Sequence, residues 1–192
     1  GGTLITTFMS GIVDQSDNVH LGGYPGPLRE MAGVWVEEID ALAPEQSNTV
    51  SFSDGKEYKC NLLCDLMHPE GAEVLATYES DFYAGMPVTK NIYGKGHVYY
   101  VATQLEAAGL ARVLDEATNE VSVSGVIAEE TGLEITCRES ENTRFYFVMN
   151  FTDEKQTLPA SLAGMVDLIT GEAAKEGDVI NKWDVKILQE AL

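Results

Sequence analysis

Apolar and β-branched runs recur along the first hundred residues and predict a series of β-strands. Residues 3–8 have the composition of a strand, and residues 14–18 are polar enough for a turn. The Asp54-Gly55 pair is a strong hairpin signal, so the runs on either side of it should pair. The predicted strands of this region are residues 3–8, 34–39, 49–52, 57–63, 73–78, 87–93 and 97–102.

Two segments carry helical signals instead. Pro27 fits the first position of a short helix over residues 28–32, because the N–H that proline lacks has no partner there. Gly33 can adopt the left-handed conformation that ends such a helix. A longer helix is predicted over residues 105–118, where apolar side chains recur at i, i+3, i+4 and i+7 and should form a buried face: Leu110, Val113, Leu114 and Ala117.

The hydrophobic periodicity fades between residues 119 and 132, which indicates a domain boundary. Short apolar runs resume at residue 133 and predict a small antiparallel sheet. We therefore divide the chain into an α/β domain, residues 1–122, and a small antiparallel β-sandwich, residues 123–192. Gly1-Gly2 leads directly into a strand, as the end of a preceding helix would, so we expect a chain cut from a larger protein.

Composition narrows the class of partner. The 192 residues contain 12 basic and 31 acidic side chains, a formal net charge of −19, which repels nucleic acid and anionic lipid. No apolar stretch approaches the ~18 residues that a membrane-spanning helix needs. Three cysteines are too few for a secreted disulfide framework, and we see no signal peptide, so we expect a cytoplasmic protein.

One cluster has the spacing of metal ligands. Cys60, Cys64 and His68 would share one face if they lay on a helix. The same run is equally typical of a strand, no fourth ligand is evident, and buried cysteine is a common core residue. These three residues are therefore weak metal candidates, and we expect no metal and no cofactor.

Catalytic patterns are scarce. A cysteine nucleophile needs a histidine base and a strained turn, and none of the three histidines lies in such a context. Carboxylates are abundant, but their spacing selects no facing pair of the kind a glycosidase requires. The carboxylates considered were Asp40, Glu70, Glu73, Glu79 and Asp81. We expect no catalytic residue in this chain.

Three stretches support a resemblance to a known family. They are GGTLITTFMSGIVDQSDNVHLGGYPGPLREMAGVWVEEIDAL at residues 1–42, EGAEVLATYESDFYAGMPVTKNIYGKGHVYYVAT at residues 70–103, and the hairpin GLEITCRES…RFYFVMNFT. Together they closely resemble the C-terminal part of bacterial β-galactosidases of glycoside hydrolase family 42. The resemblance spans nearly the whole chain and is most specific at residues 19–42 and 70–103.

The resemblance implies a parent enzyme of three domains. These are a TIM barrel with both catalytic glutamates, an amidotransferase-like α/β domain with a flavodoxin-like sheet that builds a homotrimer, and a small antiparallel domain. This chain resembles the second domain, entered partway with its N-terminal strands missing, followed by the third domain. No position here matches a catalytic glutamate motif, and Glu37-Glu38 is not the catalytic pair.

The parent is then expected to hydrolyse terminal non-reducing β-D-galactosides with retention, whereas this segment alone should be inactive. Its expected partners are two further copies of itself and the barrel of the parent, with the galactoside bound only through that barrel. Phe82 and Tyr83 are the candidate contacts between subunits. Two alternatives remain: a carbohydrate-binding β-module using Trp183 and Tyr146, or an amidotransferase-like enzyme using Cys60 or Cys64.

Overall fold

A computed structural model describes residues 1–80, 85–129 and 131–192. The chain divides into two compact units, Gly1–Val123 and Ser124–Leu192. None of the helices in these described ranges is long and apolar enough to cross a membrane.

The described residues of the first unit form a sheet of eight strands. The strands are β1 (Thr3–Thr7), β2 (Val34–Ala41), β3 (Asn48–Phe52), β4 (Glu57–Pro69), β5 (Glu73–Tyr78), β6 (Val88–Tyr93), β7 (Gly96–Val101) and β8 (Thr103–Leu105). Their order across the sheet is β1-β7-β6-β5-β3-β4-β2, and β8 pairs with part of β4.

This sheet is mixed, whereas a flavodoxin-like sheet would be mainly parallel. Within the described part, β1 runs parallel to β7, and every other pairing of the sheet is antiparallel. Short turns explain the difference: β3 leads into β4, and β6 into β7, through connections too short for a parallel crossover. The predicted strands are present, and the amidotransferase-like, flavodoxin-like character of the sheet stays a prediction.

The helices match the predicted positions more closely than the predicted faces. A 3₁₀ turn at Gly26–Leu28 continues into α1 (Arg29–Ala32), which ends at Gly33 with φ of 65°. The longer helix α2 spans Ala107–Glu120. Its buried residues are Gly109, Val113 and Ala117, whereas Leu110 and Leu114 are 39% and 42% exposed.

Both faces of the sheet are covered, as the alternation along β7 shows. Tyr99 and Val101 pack with Val113 of α2 in one core cluster. Val98 and Tyr100 point the other way and belong to a second cluster with residues from α1, β2 and β4. Side chains of opposite parity on a strand lie on opposite faces, so a central strand buried on both sides reads as continuously apolar.

The second unit is antiparallel throughout its described strands. A sheet with the order β12-β14-β10-β9 is formed by β9 (Glu134–Glu139), β10 (Thr143–Met149), β12 (Val166–Asp167) and β14 (Val185–Ala191). A separate short pair is formed by β11 (Gln156–Thr157) and β13 (Val179–Ile180). Val148, Leu162 and Leu188 belong to the hydrophobic core of the second unit. The predicted small antiparallel sheet is confirmed.

Candidate functional site

A short hairpin lies on the surface of the first unit between β1 and the 3₁₀ turn, at residues 9–22, and we call it the arm. The His20 N–H donates to the Ile12 carbonyl over 2.9 Å, and Val13 faces Val19 in an antiparallel bridge. The predicted turn at residues 14–18 forms its tip. The arm is therefore a hydrogen-bonded structure and not an irregular loop.

The tip is organised by one carboxylate. Asp14 Oδ1 accepts hydrogen bonds from the backbone N–H groups of Ser16 at 2.7 Å and Asn18 at 3.0 Å. These bonds, the Ser16 one foremost, lower the pKa of Asp14 because they favour its charged form. An aspartate that bonds the backbone two residues ahead closes a turn, which explains why a polar stretch is ordered here.

Glycines allow the base of the arm to pack closely against its neighbours. Gly11 has φ of 63°, and a Cβ there would lie 2.4 Å from the Pro25 carbonyl oxygen. A Cβ at Gly23 would lie 2.1 Å from Nε1 of the Trp35 ring. No side chain fits at these separations, so the two glycines bring backbone and ring into direct contact.

Polar contacts attach the same base to α1 and β2. The Arg29 guanidinium donates to the Gly22 carbonyl at 3.0 Å and, through Nε, to Glu70 Oε2 at 2.6 Å. The Val36 N–H donates to the Tyr24 carbonyl at 2.7 Å. The arm is thus held at its base by hydrogen bonds to both elements.

The outer part of the arm exposes apolar side chains. Leu21 is 99% exposed and Val19 is 63% exposed, and Met9 and Val13 are also exposed. Exposed apolar residues scattered singly are normal, but several on one short ordered element are typical of an interaction surface. The arm is the candidate functional site of the first unit.

The three weak metal candidates do not meet. Cys60 and Cys64 are buried in the core on β4, and His68 lies near the exposed end of that strand. Residues eight apart on a strand are separated by about 26 Å, so this spacing gathers ligands on a helix only. Within the described residues, no group of three or more His, Cys, Asp or Glu side chains is arranged to hold a metal ion.

The two buried thiols have structural surroundings. Thr103 Oγ1 lies 4.0 Å from Cys64 Sγ, and the Thr103 hydroxyl donates to the Leu63 carbonyl at 2.6 Å. The pKa of the Cys60 thiol is raised, first by its hydrogen bond with Cys64 and then by burial. A raised pKa disfavours the thiolate that a nucleophile needs.

The histidine of that cluster belongs to the surface beside the arm. His68 stacks on Trp35 with ring centroids 4.9 Å apart, and its Nε2 lies 2.7 Å from Glu37 Oε2. The Arg29 guanidinium lies 5.5 Å from the Trp35 ring centroid. These contacts give His68 a packing partner and an acidic neighbour.

The remaining predicted carboxylates are dispersed. Glu70 binds Arg29, Asp40 lies on β2, Glu73 begins β5, and Glu79 follows that strand. Asp81 and the predicted subunit contacts, Phe82 and Tyr83, lie outside the described residues. Those two contacts remain a prediction.

A buried acid of the first unit was not predicted from the sequence. Asp65 of β4 is fully buried, and the Tyr100 hydroxyl donates to its Oδ2 at 2.9 Å. Burial raises its pKa to about 7, although the Tyr100 hydrogen bond opposes that rise. The signal was present in the sequence, because a single aspartate interrupts the apolar run at residues 62–67.

A charged cluster that the sequence did not reveal joins α2 to the sheet. Glu120 at the end of α2 accepts hydrogen bonds from Lys90 at 2.5 Å and from the Tyr99 hydroxyl at 2.9 Å. His97 Nδ1 lies 2.5 Å from the same carboxylate. These neighbours, chiefly Lys90, lower the pKa of Glu120 to about 2. Its partners lie on β6 and β7, so the cluster has a structural role.

The two aromatic residues proposed for sugar binding differ in their exposure to solvent. Tyr146 is buried, and its hydroxyl lies 3.2 Å from Glu190 Oε2. Trp183 is 63% exposed and neighbours Phe151, which is 55% exposed. Phe151 was not among the predicted site residues.

These observations first define a class of protein. A large mixed sheet with an ordered arm that exposes apolar side chains, followed by a small antiparallel unit, is typical of an interaction-forming segment. Family comparison identifies the segment. Residues 1–124 match the family described as the β-galactosidase trimerisation domain, and residues 132–190 match the β-galactosidase C-terminal domain.

The chain belongs to the β-galactosidases of glycoside hydrolase family 42, of which it carries these two non-catalytic domains. It is 47% identical over 191 residues to β-galactosidase LacA of Lactobacillus acidophilus, covering 98% of this chain and 28% of that protein. It is 39% identical over 198 residues to β-galactosidase Pbg of Clostridium perfringens, covering 98% of this chain and 29% of that protein. The chain thus spans less than a third of the length of these relatives.

A solved structure agrees with the assignment. The crystal structure of β-galactosidase from Bacillus circulans sp. alkalophilus superposes with a TM-score of 0.86 at 40% sequence identity, covering 100% of this chain and 29% of that one. The resemblance found in the sequence is therefore confirmed over the whole chain.

Proposed function

We propose that residues 1–122 join three copies of a β-galactosidase, and that the arm is a contact between those copies. Hydrolysis of terminal β-D-galactosides with retention then belongs to a catalytic barrel linked to this segment in a bacterial, cytoplasmic enzyme. The observation that carries the proposal is the arm, an ordered element with exposed apolar side chains in a domain of the trimerisation family.

The energetics favour a contact of this kind. Burying a fully exposed leucine contributes about 2 kcal/mol, so Leu21 alone represents a substantial gain in each subunit. Hydrogen bonds hold the arm before association, which reduces the entropy lost when it binds. Interfaces between identical subunits have more apolar cores than ordinary surfaces, and cyclic symmetry repeats each contact in every copy.

Retaining hydrolysis requires two carboxyl groups about 5 Å apart, one as nucleophile and one as acid and base. In this chain, Glu70 is engaged by Arg29, Glu37 lies against His68, and Asp65 is buried beside Tyr100. Each of these groups has a structural partner instead of a facing carboxylate. We therefore assign this segment, residues 123–192 included, a supporting role without catalytic activity.

We also propose that the first unit is a divergent amidotransferase-like domain. The parallel pairing of β1 with β7 and the packing of α2 on the sheet support this ancestry, whereas the antiparallel pairs depart from it. Ancestry brings no activity with it. Alkylation of the folded chain with iodoacetamide should leave Cys60 and Cys64 unmodified, because both thiols are buried.

The proposal that the arm is a contact is tested by placing a charge at positions from which the contact should exclude water. We expect Val19→Asp and Leu21→Asp to weaken association, because a carboxylate would have to lose its hydration to enter an apolar interface. If each substitution removes about 2 kcal/mol per contact, the dissociation constant rises about 30-fold. Sedimentation velocity over a concentration series measures the change.

Ile169→Asp in the second unit is the matched control, since it adds the same charge at an exposed apolar position outside the arm. The control should sediment as the unmodified chain does. Association that is equally strong in the arm variants and in the control would show that the arm is not the contact.

A further inference from the structure

Two exposed aromatic rings lie together on the second unit. Phe151 follows β10, and Trp183 precedes β14. Their ring centroids are 6.2 Å apart at an interplanar angle of 61°, and more than half of each residue is accessible. We call this pair the aromatic platform. Large aromatic side chains are usually buried, so an adjacent exposed pair is unusual on a folded surface.

A buried asparagine holds the two loops that carry the platform. Asn150 is 1% exposed, and its amide nitrogen lies within hydrogen-bonding distance of the carbonyls of Glu154, Ile180 and Asn181, at 2.8, 3.0 and 3.0 Å. One side chain thus crosslinks the segment after β10 to the segment before β14. Buried networks of this kind impose a single loop geometry.

The backbone at Trp183 is strained in a way that keeps the ring exposed. Its φ is 59°, a left-handed conformation that is unfavourable for a bulky residue. The Trp183 N–H donates to the Asn150 carbonyl at 2.9 Å, and the Asn150 N–H donates to the Asp184 carbonyl at 3.1 Å. The loop contacts therefore maintain a conformation that the residue would not adopt alone, a situation common at ligand sites.

Charged groups flank the rings. Lys182 Nζ lies 5.6 Å from the Trp183 ring centroid and forms an ion pair with Asp153, and both side chains remain accessible. The surface thus combines apolar ring faces with a cationic donor and an anionic acceptor. A pyranose has the complementary chemistry, with one face of C–H groups and a rim of hydroxyls that both donate and accept.

We propose that the aromatic platform binds a pyranose ring of a β-galactoside, stacked on Trp183, with its hydroxyls on Asp153 and Lys182. The platform itself points to a pyranose, and the choice of galactose rests on the proposed function. A docking protein is the competing occupant, and it would not need a donor and an acceptor beside the ring. The platform belongs to the second unit, and the arm belongs to the first.

The two tryptophans of the chain allow a direct test, because Trp35 lies in the first unit and Trp183 in the second. In a Trp35→Phe variant, Trp183 is the fluorescent reporter. Titration with methyl β-D-galactopyranoside should change its emission saturably with a dissociation constant of about 1–10 mM, as expected for a ligand of this size. An equal concentration of glycerol serves as the control and should produce no saturable change.

Two variants assign the contacts without removing the reporter. Phe151→Ala and Asp153→Asn should each weaken binding at least about fivefold, and Lys155→Ala, a nearby charge change, should not. Absence of a saturable change up to about 100 mM sugar, or affinities unaffected by both variants, would overturn the proposal. Sedimentation of the chain that retains Trp35, with and without the sugar, keeps the two proposals apart, since failure of sugar binding leaves the mass of the assembly unchanged.

Discussion

Asp65 is a buried residue whose ionisation should change the stability of the first unit. It is buried beside Tyr100, and burial raises its pKa from 3.8 to about 7. A pKa that is higher in the folded state means that the folded chain holds the proton more tightly than the unfolded chain does. The contribution of Asp65 is therefore fully present below about pH 4 and is lost as the pH rises through about 7.

Asp65→Asn should remove this pH dependence. We expect the free energy of unfolding of the unmodified chain to fall relative to the variant by as much as about 4 kcal/mol between about pH 4 and pH 8. Urea unfolding at several pH values, followed by Trp35 fluorescence in a Trp183→Phe background, measures the difference in the first unit. Asp115→Asn, an exposed change on α2, is the control. Parallel pH profiles for the chain and the Asp65 variant would contradict the account.

At the scale of single residues, the sequence predicted backbone conformation better than it predicted which side chains are buried or exposed. The left-handed cap at Gly33 and the turn begun by Asp14 were predictable because local backbone chemistry determines both. The burial of Asp65 and the exposure of Trp183 were not, because each depends on elements distant in sequence. For Trp183 that element is Asn150, thirty-three residues earlier.

At the scale of elements, the hairpins were predictable and the full extents of their strands were not. The Asp-Gly turn correctly placed β3 next to β4. The sequence predicted β4 to end at residue 63, but it continues to Pro69 because β2 pairs with its second half. The paired residues of β2 and β4 are at least 22 positions apart in the sequence, so the pairing leaves no mark on the local pattern of β4.

Helix α2 shows the same limit. Periodicity correctly identified the helix, but its buried line is Gly109, Val113 and Ala117. A Cβ on Gly109 would lie 2.9 Å from the Tyr58 Cβ, so the missing side chain lets α2 approach β4 closely. This approach determines which face is covered, and Leu110 is left at the edge.

Substitutions at two neighbouring residues of α2 should therefore differ clearly in how much they destabilise the first unit. Gly109→Leu should destabilise the first unit by about 2–3 kcal/mol, since it forces the helix away from Tyr58. Leu110→Ala should lower the free energy of unfolding by less than about 1 kcal/mol. It removes most of an apolar side chain, but that side chain is partly exposed in the folded helix. Urea unfolding followed by Trp35 fluorescence compares them, and a larger loss for Leu110→Ala would refute this packing.

At the scale of the whole molecule, the two units differ in the features they carry. The first carries the arm and matches a trimerisation family, and the second is a small antiparallel unit with its own core. The chain carries a net charge of −19, so apolar contacts must outweigh the mutual repulsion of its copies. Raising the salt concentration screens that repulsion and should strengthen association.

The most direct test of the central claim is the mass of this chain in solution, measured by light scattering coupled to size exclusion over about a tenfold concentration range at about 0.15 M salt. The account predicts a mass approaching three chains as the concentration rises. A mass of one chain at every concentration would contradict it, because these residues would then lack the contacts that join the subunits.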